Sequence, residues 1–225
     1  AYLADLPSKL TATGVGRGYR ADEAAEETPP PRKEVQLRAP LFEQGEKKLT
    51  PAEIGTAHHL FMQFCDFDAA CAPNGVENEL NRLAEKKILS TEQAHAVDKR
   101  KIERFFASDL YKTFMAENKV RREFKFSVLV PAQAYFPVAA DAPEENVLLQ
   151  GVIDCLIETR DGFVILDFKT DRIKKGGAVE RAEQYRPQLA AYARAVHEIY
   201  GRPVRACVLY FFHTGDTEWV SLDED

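Results

Sequence analysis

The 225-residue chain lacks most of the features that would assign it quickly. Its four cysteines, Cys65, Cys71, Cys155 and Cys207, include no Cys-x-x-Cys pair, which argues against a zinc ribbon. No Gly-x-x-x-x-Gly-Lys-Ser/Thr occurs, so these residues supply no P-loop ATPase of their own. Signal-peptide patterning is absent, and no apolar run approaches the roughly 20 residues of a membrane span. The expected setting is therefore a soluble, reducing one, the cytoplasm, with no membrane partner. Positive charge is also short: the net charge of -6 excludes a protein that coats nucleic acid by bulk attraction, so any contact with DNA must come from local basic patches. The chain opens on Ala1 rather than Met, and in mid-phrase, which reads as a piece of a longer protein.

What is present concentrates between Gln150 and Asp171. Two apolar runs flank Asp161-Gly162, a strong two-residue hairpin signal. With Asp161 and Gly162 as the central turn residues, Arg160 faces Phe163, Leu156 faces Asp167 and Asp154 faces Lys169. Asp154, Asp167 and Lys169 then share one face of the sheet, while Ile153, Cys155, Ile157, Val164, Leu166 and Phe168 take the other. The two carboxylates become diagonal neighbours with α-carbons roughly 7–8 Å apart, able to converge on one divalent cation with an ammonium beside it. Isolated charges in strands are usually solvated surface features. These runs, however, are apolar on both faces, as in central strands covered on both sides, where a charge costs several kcal/mol unless paired or metal-bound.

Gly151-Val-Ile-Asp154, Asp167-Phe-Lys169 and Gln188-Leu-Ala-Ala-Tyr192, preceded by Gly55-Thr-Ala-His-His59, occur in the order Gly-x-x-x-His, Gly-x-x-Asp, Asp-x-Lys, Gln-x-x-x-Tyr. This pattern resembles the RecB-like branch of the PD-(D/E)XK nucleases. The wording between the motifs is most similar to the C-terminal nuclease domain of AddA-type helicase-nucleases, over roughly residues 50 to 215. The resemblance implies an α/β fold of the restriction-endonuclease-like type, a mixed central sheet of about five strands flanked by helices, with an α-helical insert. It implies Mg2+ held by His59, Asp154, Asp167 and the backbone carbonyl of Phe168, with Mn2+ as a substitute that an imidazole ligand would accept. Lys169, Gln188 and Tyr192 are the further catalytic residues, and Glu123 and Tyr185 are accessory. It further implies DNA as substrate, a parent chain whose helicase part uses ATP, a partner of the AddB type, and double-strand-break processing in recombinational repair. The cysteine set that holds an iron–sulfur cluster in AddB and many Cas4-like relatives is missing, so no such cluster is expected.

Along the chain, residues 1–49 read as a flexible linker or extended N-terminal segment, with the nuclease domain over 50–225. Thr50-Pro51-Ala52-Glu53 is a capping box with proline at the first helical position, predicting a helix from Pro51 to about Phe64 that carries His58 and His59. Histidines on an apolar helix more often pack than ligate, and the motif match selects His59. Residues 73–117 are helical in pattern, with a second capping box at Ser90 and Gln93 opening a helix that carries Val97, Ile102, Phe105 and Phe106. Asp98 to Lys125 holds nine Lys or Arg against five acids, a candidate for phosphate contact. Val120 to Val130 alternates as a half-buried strand, Ala139 to Asn146 is a loop, and Ile173 to Gly177 is a basic, glycine-ended loop. Tyr185 to Ile199 is a helix stopped at Gly201, with Pro187 in its first turn, and a second hairpin turns at Thr214-Gly215-Asp216. Two readings compete with a nuclease domain: a non-catalytic scaffold for DNA or a partner, and a stand-alone site-specific endonuclease. An intact Asp154, Asp167 and Lys169 set speaks against the first, and the AddA-like wording against the second.

Overall fold

The computed structural model describes residues 7–15, 49–136 and 145–222. Residues 16–48, and 139–144 of the expected loop, lie outside the described residues. The chain divides into a sheet unit, Ala1–Ala21 with Arg104–Asp225, and a helical unit, Asp22–Glu103.

The helical unit is built from α1 (Pro51–Phe64), α2 (Phe67–Cys71), α3 (Gly75–Glu85), α4 (Thr91–Ala96) and the first turn of α5 (Lys99–Ala107). Both predicted capping boxes form, at Thr50 with Glu53 and at Ser90 with Gln93. The second opens a helix of only six residues, however, and Ile102, Phe105 and Phe106 lie on the separate helix α5. His58 is the reason for this break. Its Nδ1–H donates to the Ile54 carbonyl at 2.9 Å, and its Nε2 accepts the Asp98 N–H at 3.2 Å. The Asp98 amide is thus taken out of any helix running on from α4, and the Asp98 carbonyl accepts from Lys101 and Ile102 as α5 begins. One donor and one acceptor fix the neutral tautomer, and burial holds the His58 pKa below its usual 6.5. A second polar staple is Glu79, buried yet engaged through both oxygens: it accepts from the Asp66 N–H at 2.6 Å and from Nε and Nη2 of Arg82 at 2.8 and 2.6 Å.

Among the described residues the sheet unit holds six strands: β1 (Lys9–Thr11), β2 (Lys119–Pro131), β3 (Asn146–Thr159), β4 (Gly162–Lys169), β5 (Val204–Phe211) and β6 (Asp216–Val220). Their path is β1-β3-β4-β5-β6, with β2 also on β3. The sheet is mixed: β1 with β3 and β4 with β5 are parallel, the other pairs antiparallel. β1 falls in the stretch read as a linker or extended segment, and it pairs as an extended strand. Every residue of β4 from Gly162 to Phe168 is buried, as its unbroken apolar run requires. After the short α6 (Ala178–Glu183), α7 (Arg186–Tyr200) covers one face of the sheet and places Leu189, Tyr192 and Val196 in one core with Phe163, Ile165, Cys207 and Leu209. On the other face, Phe105 packs edge-on to Phe168 and Tyr210 at 5.2 and 4.9 Å between centroids. Pro187 lies in the first turn of α7, and Gly201 ends it at φ 62°.

The central hairpin forms with a different register from the one read in sequence. Thr159 pairs with Gly162 and Cys155 with Leu166, so the turn residues are Arg160 and Asp161. Leu156 faces Ile165 rather than Asp167, and one more step of the same register sets Asp154 across from Asp167 rather than Lys169. Gly162 serves β5 instead of the turn. At φ 149° it lets the Pro203 carbonyl come so close that a Cβ would sit 2.3 Å from it, and that carbonyl accepts the Phe163 N–H at 2.9 Å. A shift of two residues preserves the face of β4 that the pattern assigned, so Asp167 and Lys169 stay on one side, where they pair.

A second departure lies at Glu123, which has φ 49° in mid-strand. Arg121 donates to the Tyr200 hydroxyl, and Phe124, three residues on, packs on the Tyr200 ring, so alternation is broken between them. On β3, Ile153 and Leu156 share one core in the same way, whereas strict alternation places them apart. Gly151 lies just before this break. A Cβ there would meet the Phe126 ring at 2.6 Å, and that ring is held edge-on against Tyr192. The motif glycine therefore makes room for an aromatic ring.

Gly151→Ala is expected to destabilise the chain by about 1–3 kcal/mol, the usual cost of overpacking. Combined with Phe126→Leu, the two losses should be clearly less than additive in denaturant unfolding. Additive losses would show that the Phe126 ring is not what excludes a side chain at Gly151.

Candidate functional site

β3 and β4 deliver three of the charged residues, and α7 supplies two polar ones. Asp167 is 3 % exposed in the middle of the most buried strand. A lone carboxylate there would carry a penalty of several kcal/mol. Its partner is two residues along the same face: Lys169 Nζ lies 2.5 Å from Asp167 Oδ2. Lys169 is held on two further sides. Its ammonium donates to Gln188 Oε1 at 3.2 Å and sits 3.8 Å from the centre of the Tyr185 ring. Gln188, itself buried, donates through Nε2 to the Tyr192 hydroxyl at 2.8 Å. The spacing of one helical turn between Gln188 and Tyr192 makes this bond possible.

Asp154 is reached from both sides of β3. The Phe168 N–H donates to its Oδ2 at 2.7 Å, where the β3–β4 ladder has given way to side chains. Glu123 comes from β2, with a carboxylate oxygen within 4.8 Å of one on Asp154. Placing it there costs on the order of 1–2 kcal/mol of left-handed backbone strain. Two carboxylates this close repel unless a cation lies between them, and hard oxygen donors suit a divalent one. The residues present therefore fit a hard divalent metal. Of the residues singled out in the sequence, Glu123, Asp154, Phe168, Asp167, Lys169, Tyr185, Gln188 and Tyr192 all belong to the sheet unit. His59 lies on α1 in the helical unit, half-buried, one turn beyond the buried Gly55.

Sequence reading missed the residues behind Lys169. Asp171 accepts a short hydrogen bond from the Tyr185 hydroxyl and a second at 3.1 Å from Arg181 Nε, and Arg181 also reaches the Tyr185 hydroxyl at 3.3 Å. Burial pushes the Asp171 carboxyl up, but the Tyr185 and Arg181 hydrogen bonds outweigh it and hold its pKa below the usual 3.8. Burial, and then the Asp171 charge, drives the Tyr185 phenol well above its usual range, so it remains a donor. The signal was available in the period-two spacing Asp167-x-Lys169-x-Asp171, which carries one face of β4 on past the strand end. The basic run from Asp98 to Lys125 is largely consumed within the chain. Lys99 pairs with Glu77, Lys101 with Asp98, and Lys119 and Arg121 with Glu158, while Arg104 donates to the Phe212 carbonyl.

The chain matches the profile of the PD-(D/E)XK nuclease superfamily over residues 32–221. It is 40% identical over 216 residues to an ATP-dependent helicase/nuclease subunit of Moorella thermoacetica, covering 95% of this chain and 15% of that protein. It is 36% identical over 219 residues to the corresponding protein of Desulforudis audaxviator, covering 96% and 18%. For a Thermoanaerobacter species the identity is 34% over 212 residues, covering 94% and 17%. The chain thus spans less than a fifth of the length of these relatives.

Asp171→Asn is expected to lower the melting temperature at pH 7 by roughly 2–4 °C, the equivalent of about 1 kcal/mol in a chain of this size. Because the folded pKa is depressed, the carboxylate's contribution is complete above pH 3.8 and is lost as pH falls through the folded value. Melting curves of both proteins should therefore converge only below pH 3.8. Equal melting temperatures at pH 7 would mean that the latch on Tyr185 contributes nothing.

Proposed function

The chain belongs to the PD-(D/E)XK nuclease superfamily, and from that premise we propose that it hydrolyses DNA phosphodiester bonds as the nuclease part of a helicase-nuclease that processes double-strand breaks for recombinational repair. The observation that carries the reading is the unbroken connection Asp167–Lys169–Gln188–Tyr192, with the intervening Phe168 N–H bound to Asp154, whose carboxylate lies near that of Glu123. A scaffold domain gains nothing from a buried carboxylate and ammonium on its central strand.

Asp154 and Asp167 are the proposed protein ligands of Mg2+, with Glu123 beside Asp154 and the Phe168 carbonyl as a further oxygen donor, and His59 is the imidazole that the Gly-x-x-x-His match selects. A divalent cation bound there supplies charge neutralisation at the phosphate and a lowered pKa for a water molecule. The chain's own residues do the rest. Asp167 and Gln188 fix the Lys169 ammonium from two directions, and the Tyr185 ring closes a third, so its donors are set before substrate arrives. That ammonium orients the attacking water and stabilises the negative charge that grows on the phosphate oxygens. Tyr192 holds the Gln188 amide so that its oxygen faces Lys169. The Phe168 N–H does the same for Asp154, fixing the direction of its carboxylate. Mn2+ is expected to substitute. The remainder of the parent chain would supply ATP-driven strand delivery, an AddB-type protein would be the partner, and the cytoplasm would be the site of action.

Asp167→Asn, which keeps the volume and removes the charge, is expected to abolish Mg2+-dependent cleavage of linear DNA while the folded structure survives by circular dichroism. Cleavage at a near wild-type rate would overturn the site. For Lys169→Ala, the metal affinity read by calorimetry should be kept or raised, while the single-turnover rate falls by two or more orders of magnitude. Lys169→Arg should rescue poorly, since a planar guanidinium cannot occupy the space of a point donor. Loss of metal binding in proportion to activity would make the lysine a structural partner of the aspartates.

A further inference from the structure

We propose that the loop from Asp171 to Gly177 is a latched cationic clamp that grips the backbone of a DNA strand beside the scissile phosphate. The proposal rests on the nuclease reading above and adds the surface that holds the substrate.

The loop carries Arg172, Lys174 and Lys175, and no acidic residue occurs between Arg172 and Val179. In a chain of net charge -6 this is a local reversal of sign. All three cations are exposed, and none makes a hydrogen bond or ion pair with another described residue. This contrasts with the Asp98 to Lys125 run, where Lys99, Lys101, Lys119 and Arg121 are neutralised by acids of the chain. Arg100, Lys112 and Lys125 of that run are exposed too but stand about a dozen residues apart, so available positive charge is most closely grouped after β4.

Exposed lysines on a floppy loop are ordinary surface features, but the backbone of this loop is fixed at both ends. Asp171 is tied to Arg181 and Tyr185, so the acid nearest the three cations is occupied and the loop's start is anchored to the residue whose ring covers Lys169. At the far end, the Gly177 N–H donates to the Lys174 carbonyl at 2.9 Å, and Gly176 has φ 81°. These are the features of a type II turn, with Lys174 and Lys175 at its first two positions and the positive-φ glycine at its third. Fixing the turn in advance removes part of the ordering cost of binding.

Position supplies the rest of the argument. Lys174 follows Lys169 by five residues, so at roughly 3.3–3.6 Å per residue their α-carbons lie within about 18 Å of each other. Phosphates of one strand rise by about 3.4 Å each in a duplex and are spaced more widely when single-stranded, so the loop falls within a few nucleotides of the bond being cut. A guanidinium and two ammonium groups without base-reading partners recognise phosphate and carry no sequence information. The clamp would hold any strand fed to the site.

The test uses the full chain and a fluorescein-labelled single-stranded oligonucleotide, with Ca2+ replacing Mg2+ so that binding is read without cleavage. Anisotropy titrations between 50 and 200 mM salt give the slope of log K against log salt. For the triple variant Arg172→Gln, Lys174→Gln, Lys175→Gln the slope should flatten by about 2, at roughly 0.7 for each phosphate no longer neutralised. Lys174→Arg with Lys175→Arg should keep the wild-type slope. Asp171→Asn should keep the slope but weaken affinity severalfold, because it frees the loop without changing its cations. Equal slopes for the triple variant and the wild type overturn the clamp, as does a wild type that does not bind; unchanged affinity in Asp171→Asn overturns the latch. Cleavage in Mg2+ is scored in parallel. A wild type that cleaves with a loop-independent slope refutes the clamp alone, and one that binds through the loop without cleaving refutes the nuclease reading alone.

Discussion

The ion pair between Asp167 and Lys169 is the constraint on which the rest of the site depends. Both groups lie on β4, the strand with the least access to water, so each would be untenable alone. Their attraction removes much of that penalty, but two residues on one strand cannot also fix the direction of a long ammonium side chain. Gln188 and Tyr185 do this from α7 and its entry, and each is held in turn, by Tyr192 and by Asp171. The packing of α7 on the sheet, driven by Leu189, Tyr192 and Val196, is thus what sets the position of Lys169.

The site also sits where the sheet stops being regular. Glu123 leaves the extended region, alternation breaks on β2 and β3 alike, and the Asp154 side chain takes the place of a main-chain acceptor for Phe168. In a regular ladder, opposed carboxylates on β2, β3 and β4 would lie in a row, each bound to its own strand. The break lets Glu123 and Asp154 approach within 4.8 Å. The surrounding core holds the strain in place, with Phe126 filling the space over Gly151 and Phe124 against Tyr200. Local irregularity supported by well-packed aromatics is a reasonable cost for a preorganised charged site.

In the helical unit the polar groups serve structure. His58 is saturated by one donor and one acceptor, and Glu79 by an amide and a guanidinium. His59, its neighbour in sequence, has a different environment because successive residues of a helix point about 100° apart. Two adjacent histidines therefore divide their work, one as a staple between α1 and Asp98 and the other as the proposed contribution to metal binding.

Much of this was written in the sequence in a form that local rules can read. Thr50 and Ser90 cap their helices through hydrogen bonds to residues three positions on, Gly201 ends α7 through its own backbone freedom, and the apolar run of β4 demanded cover on both faces. The face shared by Asp167 and Lys169 was also legible, because period-two alternation along β4 survives a shift of two residues. The register itself was not. Asp161-Gly162 has the chemistry of a turn, yet Gly162 was needed where the Pro203 carbonyl crosses it, and nothing near Gly162 in sequence announces a residue about forty positions away. The same holds for the break at Glu123, for the end of α4 at His58, and for the pairing of Lys99 with Glu77 and of Lys119 and Arg121 with Glu158. Each is decided by a partner distant in sequence, and whether a residue finds such a partner depends on which surfaces the folded chain brings together.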